Sequence, residues 1–70
     1  MKVDKKKLKD KIEMYELNHM GLSHQSGVFI IVRNLRINKK MIKCDVLVYH
    51  GEDNWMERYN DMDYPADKFV

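Results

Sequence analysis

The stretch Gly27-Val-Phe-Ile-Ile-Val-Arg-Asn-Leu-Arg-Ile-Asn-Lys-Lys-Met-Ile-Lys-Cys-Asp-Val-Leu-Val-Tyr-His50 decides the fold. Two arms rich in β-branched residues flank a basic tip, Asn38-Lys39-Lys40, whose residue types favour a turn. The pattern predicts one long hairpin. In the second arm Ile42, Cys44, Val46 and Val48 alternate with Lys43 and Asp45, which is the period of a half-buried strand. The first arm alternates less cleanly. Val28, Ile30 and Val32 share one face, whereas Leu35 and Ile37 fall with Phe29 and Ile31 on the other. Either both faces are partly buried, or a bulge near Arg33-Asn34 switches the register.

Upstream, residues 3–20 read as a helix with marked ends. Asp4 is placed to accept a hydrogen bond from a free backbone N–H at the start, with Val3 and Leu8 as a hydrophobic staple. Gly21 suits the left-handed residue after a helix, and Leu22 suits the apolar contact that follows. Leu8, Ile12, Tyr15 and His19 recur at spacings of one helix face, so that face is expected against the sheet. Lys5, Lys6 and Lys7 crowd the first turn, where the macrodipole prefers acids.

Downstream of the hairpin, Gly51-Glu52-Asp53-Asn54 reads as a turn and residues 55–59 as a short third strand. Trp55, Glu57 and Tyr59 would lie on one face, Met56 and Arg58 on the other. Residues 60–63 read as a second turn, residues 65–68 as a single helical turn, and Phe69-Val70 as a last edge. The C-terminal third, Gly51-Glu-Asp-Asn-Trp55-Met-Glu-Arg58 followed by Asp63-Tyr64-Pro65-Ala-Asp-Lys-Phe69-Val70, resembles the end of a Src-homology-three barrel. There a tryptophan opens the third strand, and a proline-led turn precedes a final aromatic-valine strand. The resemblance implies a barrel of short, bent antiparallel strands. It also implies a proline-peptide groove through Trp55, Tyr64, Pro65 and Phe69.

The expected architecture is therefore α+β. An N-terminal helix packs on a small, strongly bent antiparallel sheet of three to five strands, SH3-like in form, and residues 1–70 make a single domain. A chain of 70 residues is marginal alone, and with Cys44 as the lone cysteine it has no disulfide to help. An unpaired thiol fits a reducing compartment, so a cytoplasmic location is expected. No leader is visible, and the longest apolar run, Val28 to Val32, is far too short to cross a bilayer.

Charge is uneven along the chain. Residues 26–44 carry five basic side chains and no acid, whereas residues 45–70 carry seven acids against two basic residues. Two candidate surfaces follow. Arg33, Arg36, Lys39, Lys40 and Lys43 would make a cationic hairpin able to lie along phosphates. Trp55, Tyr59 and Tyr64 beside Asp61 and Asp63 have the aromatic and charged character of a protein-binding surface.

No set for catalysis is visible. His19, His24, His50 and Cys44 have no zinc-ligand spacing, and no metal or other cofactor is expected. Asp61-x-Asp63 with Glu52, Asp53 and Asp67 lacks the glycine and distant glutamate of a calcium loop, and reads as acidic turns. Cys44 should be a buried, inert thiol.

The expectation is a small non-catalytic protein that binds and modulates a larger protein, with nucleic acid as the alternative partner through the hairpin of residues 33–43. The richness in Lys, Asn, Asp, Ile and Met is similar to that of small phage and mobile-element proteins. Whether the chain acts as a monomer or a homodimer is left open by the sequence.

Overall fold

The computed structural model describes residues 4–22 and 26–69. In chain order these form α1 (Lys5–His19), β1 (Val28–Asn38), β2 (Met41–His50), β3 (Trp55–Pro65) and α2 (Ala66–Phe69). The strands make one antiparallel sheet in the order β1-β2-β3, with α1 packed on one side. The arrangement is α+β, at the low end of the expected strand number. No helix among the described residues is long and apolar enough to cross a membrane.

Local chemistry sets both ends of α1. The Asp4 carboxylate accepts hydrogen bonds from the backbone N–H groups of Lys6, at 3.0 Å, and Lys7, at 3.3 Å. At the other end Gly21 takes φ +71°, its N–H donates to the Asn18 carbonyl, and the Leu22 N–H donates to the Leu17 carbonyl. That pair of bonds is a Schellman ending, which satisfies two otherwise free carbonyls. The staple residue Val3, the connector residues Ser23, His24 and Gln25, and the terminal Val70 lie outside the described residues.

The buried stripe of the helix differs from the one read in the sequence. Leu8, Ile12 and Glu16 face the core, while Tyr15 is largely exposed and His19 is fully on the surface. A stripe at spacings of four keeps the helix rotated so that Tyr15 packs edge-on to Tyr64 and Phe69 from the rim. His19 stacks on the outer side of Tyr15.

The hairpin forms as read, with Asn38 opposite Met41 and Lys39 at φ +56° in the two-residue tip. Ile42, Cys44, Val46 and Val48 are wholly buried beneath α1 together with Ile30 and Val32. Burial of each such aliphatic side chain contributes about 1.5–3 kcal/mol.

Of the two readings of the first arm, the bulge is correct. Register slips by one residue between Arg33 and Arg36, where Asn34 adopts φ +55°. Leu35 and Ile37 thereby return to the inner face, Leu35 against the core and Ile37 opposite Ile42. Asparagine tolerates the left-handed region better than other non-glycine residues, so the bulge has a local cause.

The third strand is the main departure. Residues 60–63 are not a turn. The strand runs on to Pro65 through a second bulge between Tyr59 and Met62, with Asp61 at φ +55°. The single helical turn read over residues 65–68 forms as α2, Ala66–Phe69. Phe69, expected at a last strand edge, instead ends this turn and is buried against Tyr64.

Asp45 sits between the two bulges. One carboxylate oxygen accepts from Asn34 Nδ2 at 2.8 Å and the other from the Asp61 backbone N–H at 3.1 Å. These bonds, the Asn34 bond foremost, hold the carboxyl below its ordinary range. A single side chain of the central strand thus ties down both bends.

Candidate functional site

The sequence-predicted residues do not gather at one place. β3 spans eleven residues, so Trp55 and Pro65 stand about 33 Å apart at a strand rise of 3.3 Å per residue. A groove joining Trp55 to Tyr64, Pro65 and Phe69 is therefore not formed. Tyr64 is 4% exposed and belongs to the core, which removes it as a contact residue.

Asp61 and Asp63 are engaged by the basic set. Arg36 Nη2 lies 3.2 Å from Asp61 Oδ1, and Lys43 Nζ lies 3.7 Å from Asp63 Oδ1. The two charge pools, far apart in sequence, meet because antiparallel pairing sets Arg36 beside Lys43 and Lys43 beside Asp63. The expected cationic ribbon is thereby divided. Arg33 and the tip residues Lys39 and Lys40 are exposed and make no ion pair among the described residues, while Arg36 and Lys43 are paired.

Directly opposed residues in an antiparallel ladder share a face, which divides the sheet surface in two. On the outer face no described element covers the sheet. One row there runs Phe29–Tyr49–Met56 and the next Ile31–Leu47–Arg58. Phe29 is 58% exposed and Met56 49%, and the rings of Phe29 and Tyr49 stack with centroids 6.5 Å apart. Only Leu47, hemmed in by its neighbours on the central strand, is buried. Beyond these rows the face turns ionic, with Arg33 opposite Asp45 and then the Arg36–Lys43–Asp63 row.

The sequence sets Phe29 with Ile31 on one strand face and Met56 with Arg58 on another, but does not join them into one patch. The signal was present. Val28 to Val32 and Val46 to Val48 are apolar at consecutive positions, yet the described residues supply only one helix long enough to cover a face.

On the inner face α1 packs on β1 and shares its core with the inner side chains of β2, while Trp55 and Tyr59 of β3 stay exposed. His50 faces Trp55, and Val48 and Val46 face Glu57 and Tyr59. The His50 and Trp55 rings stack with centroids 4.1 Å apart and planes within 5°. His50 Nε2–H donates to Glu57 Oε2 at 3.0 Å, and the Tyr59 hydroxyl donates to Glu57 Oε1 at 2.9 Å. These two bonds, that from His50 first, hold the Glu57 carboxyl below its ordinary range, while the acceptor Glu57 raises the Tyr59 phenol.

Trp55 and Tyr59 thus share a strip, joined by Glu57 and His50. Glu16 on α1 borders it and is only 5% exposed. Burial first, and then the Glu16 carboxylate as a charge and hydrogen-bond acceptor, raise the Tyr64 phenol, and the Glu16 charge is also felt at Tyr59 and Cys44.

Cys44 lies beneath, its thiol pushed up to about 11 by burial and then by the charges of Asp45 and Glu16. A thiol so protonated is a poor nucleophile. Among the described residues no three histidine, cysteine or acidic side chains converge as a metal set. No known family, curated protein or solved structure matches the chain.

Proposed function

We propose that this domain is a small non-catalytic binding protein that engages a larger protein and modulates it. The observation that carries the reading is the uncovered outer face with Phe29, Ile31, Tyr49 and Met56 at one end of the sheet. Contiguous exposed aromatic and aliphatic side chains of this kind mark interaction surfaces, and Tyr, Phe and Met are enriched there. The ionic rows beside the patch supply the polar border that sets orientation.

The test is capture of a partner from nuclease-treated lysate by the wild-type chain and by a Phe29→Ser, Met56→Ser double variant. The variant should keep its far-ultraviolet circular dichroism and lose the partner. Retention of the partner by a folded variant would refute the outer face as the contact. Sedimentation of both chains at two concentrations shows whether that partner is a second copy.

Nucleic acid is the second reading, favoured by the exposed Lys39 and Lys40 at the tip with Arg33 nearby in β1. It requires affinity that falls steeply with salt, with a slope set by the number of phosphates neutralised. A flat salt profile, or full binding by a Lys39→Glu, Lys40→Glu variant, would dismiss it.

A further inference from the structure

The first half of β1 has an outer edge whose hydrogen-bonding direction can be read. Successive residues of a strand turn their N–H and C=O groups to opposite sides. The Gly27 carbonyl, just ahead of β1, accepts from the Gly51 N–H, so odd-numbered residues here bond toward β2. The Val32 N–H points the other way and donates to Glu13 Oε2 at 2.9 Å. Register is unbroken from Val28 to Arg33. The backbone polar groups of Val28 and Ile30 therefore lie on the same outer side as the Val32 N–H. Over residues 28–32, Val32 is the one outward position met by a side chain among the described residues.

Such an edge is a template for another strand, and folded proteins guard theirs with charges, bulges and proline. Elsewhere this sheet is guarded. β1 beyond Val32 carries Arg33, Arg36 and the Asn34 bulge. β3, the other outer strand, carries Glu57, Arg58, Asp61 and Asp63, a bulge and Pro65. Residues 28–32 read Val-Phe-Ile-Ile-Val and have none of these. Beside them lies an open groove of about 330 Å³, walled by Asp10, Glu13, Met14 and Leu17 of α1 and by β1 residues 28–30. The four helix residues recur at the spacing of one helix face, and Met14 is 57% exposed.

Glu13 shows what fits there. Its carboxylate oxygen takes the Val32 N–H as the carbonyl of a neighbouring strand would, so the chain fills one rung itself and leaves those at Val28 and Ile30 open. Opposed residues share a face, so a residue set against Ile30 would point to the α1 side, toward Met14 and Leu17. The polar lining is acidic. Asp10 makes no ion pair among the described residues, and Glu13 pairs with Lys9 at 3.7 Å.

We propose that the edge of β1 at residues 28–31 receives an extended segment of a protein partner as a fourth strand, with aliphatic side chains toward α1 and a basic residue beside Asp10 and Glu13. Main-chain bonds supply affinity in this mode, and the groove wall selects the alternate side chains. The proposal rests on the reading of the chain as a protein-binding domain and adds the sheet edge to its outer face. A second copy fits the edge less well. Pairing Ile30 with Ile30 would set each Val28 opposite a Val32 whose N–H Glu13 already holds.

The test is a titration of the 15N-labelled full chain with the peptide acetyl-Arg-Val-Thr-Val-Thr-Val-amide, followed by amide shifts and hydrogen exchange. Two counterparts run in parallel, one fully N-methylated and one with Glu in place of Arg. The arginine peptide should give saturable shifts at the Val28 and Ile30 amides and slow the exchange of Ile30. Phe29 and Ile31, already bonded to β2, should be protected with and without it. The N-methylated peptide should give no shifts, and the Glu peptide should bind at least about tenfold more weakly. Met14→Lys changes an exposed wall residue, so it should keep the fold and weaken the arginine peptide by about tenfold or more.

Equal binding of the N-methylated peptide, shifts along β3 instead of β1, unchanged affinity in Met14→Lys, or no saturable shift up to about 1 mM arginine peptide would each overturn the proposal. The same shifts on concentrating the chain alone would give the edge to a second copy and overturn it too. The two readings fail separately. Loss of partner capture in the Phe29→Ser, Met56→Ser variant, with no peptide binding by wild type, sinks the edge site and leaves the protein-binding reading intact. Peptide binding by wild type, with the partner retained in that variant, removes the outer face and leaves the edge.

Discussion

The two faces of the sheet are written by the same alternation and meet different fates. The inner face is capped by a helix over β1 and β2, and its residues from Ile42 to Val48 are removed from water. The outer face offers Phe29, Tyr49 and Met56 at the same strand positions, yet nothing in the described chain is laid over it. Apolar character alone does not make a core. A second layer has to be long enough to shield it, and the described residues provide one such layer for two faces.

The sharpest way to break that comparison is to cut both faces alike. Ile42→Ala on the inner side should cost about 2–5 kcal/mol, the sum of lost transfer energy and the cavity left behind. Phe29→Ala on the outer side should change stability by no more than about 0.5 kcal/mol. Urea denaturation of both variants decides it. A large loss at Phe29 would mean that the outer face is covered in solution.

The next effect concerns the bends. Asp45→Asn weakens the tie between the two bulges and should lower stability at neutral pH, by less than Ile42→Ala. The sign of its pH dependence is fixed. Asp45 and Glu57 both have folded values below their unfolded ones, so the unfolded chain binds more protons through that window. Their contribution is present above the ordinary carboxylate range and is lost as pH falls through the depressed values. Acid unfolding curves of Asp45→Asn should therefore be shallower than wild type, and an unchanged slope would contradict the assignment.

Cys44 reports on the inner face directly. With its thiol raised to about 11 and its side chain wholly buried, it should react with a disulfide reagent at pH 8 only as fast as the protein opens. Immediate labelling would show the inner layer to be loose. The smallest effect belongs to the outer ionic rows. Lys43→Ala removes an exposed pair with Asp63 and should cost about 0–1 kcal/mol, less at high salt. Thermal melts at two ionic strengths measure it.

Much of this architecture was legible because its signals are local. Asp4 and Gly21 mark the ends of α1, the alternation in β2 is strict, and Asn34 sits where a bulge can form. The continuity of β3 was not legible. Asn60-Asp61 carries turn chemistry, and only pairing with β2 shows that the same left-handed residue serves a bulge inside a strand.

The site was legible in part. Trp55 and Tyr59 do share a face, since Trp55 starts the strand and Tyr59 lies four residues further along it. Tyr64 left the surface because the second bulge and α2 fold it inward. Charge segregation along the sequence misled, because neighbouring antiparallel strands bring distant segments level with each other. Glu16 was hidden by its own polarity, since hydrophobic periodicity does not assign a carboxylate to a core stripe.

The paired bulges have a consequence for how this chain can change length. Each outer strand carries one surplus residue relative to the central one, at neighbouring rungs. Deleting a residue at Asn34 alone would turn Leu35 and Ile37 back toward water, and deleting one at Asp61 alone would do the same to the segment holding Met62 and Tyr64. Each insertion keeps its own strand's core residues inward, so variants of this fold should retain both, like matched spacers on either side of one hinge pin.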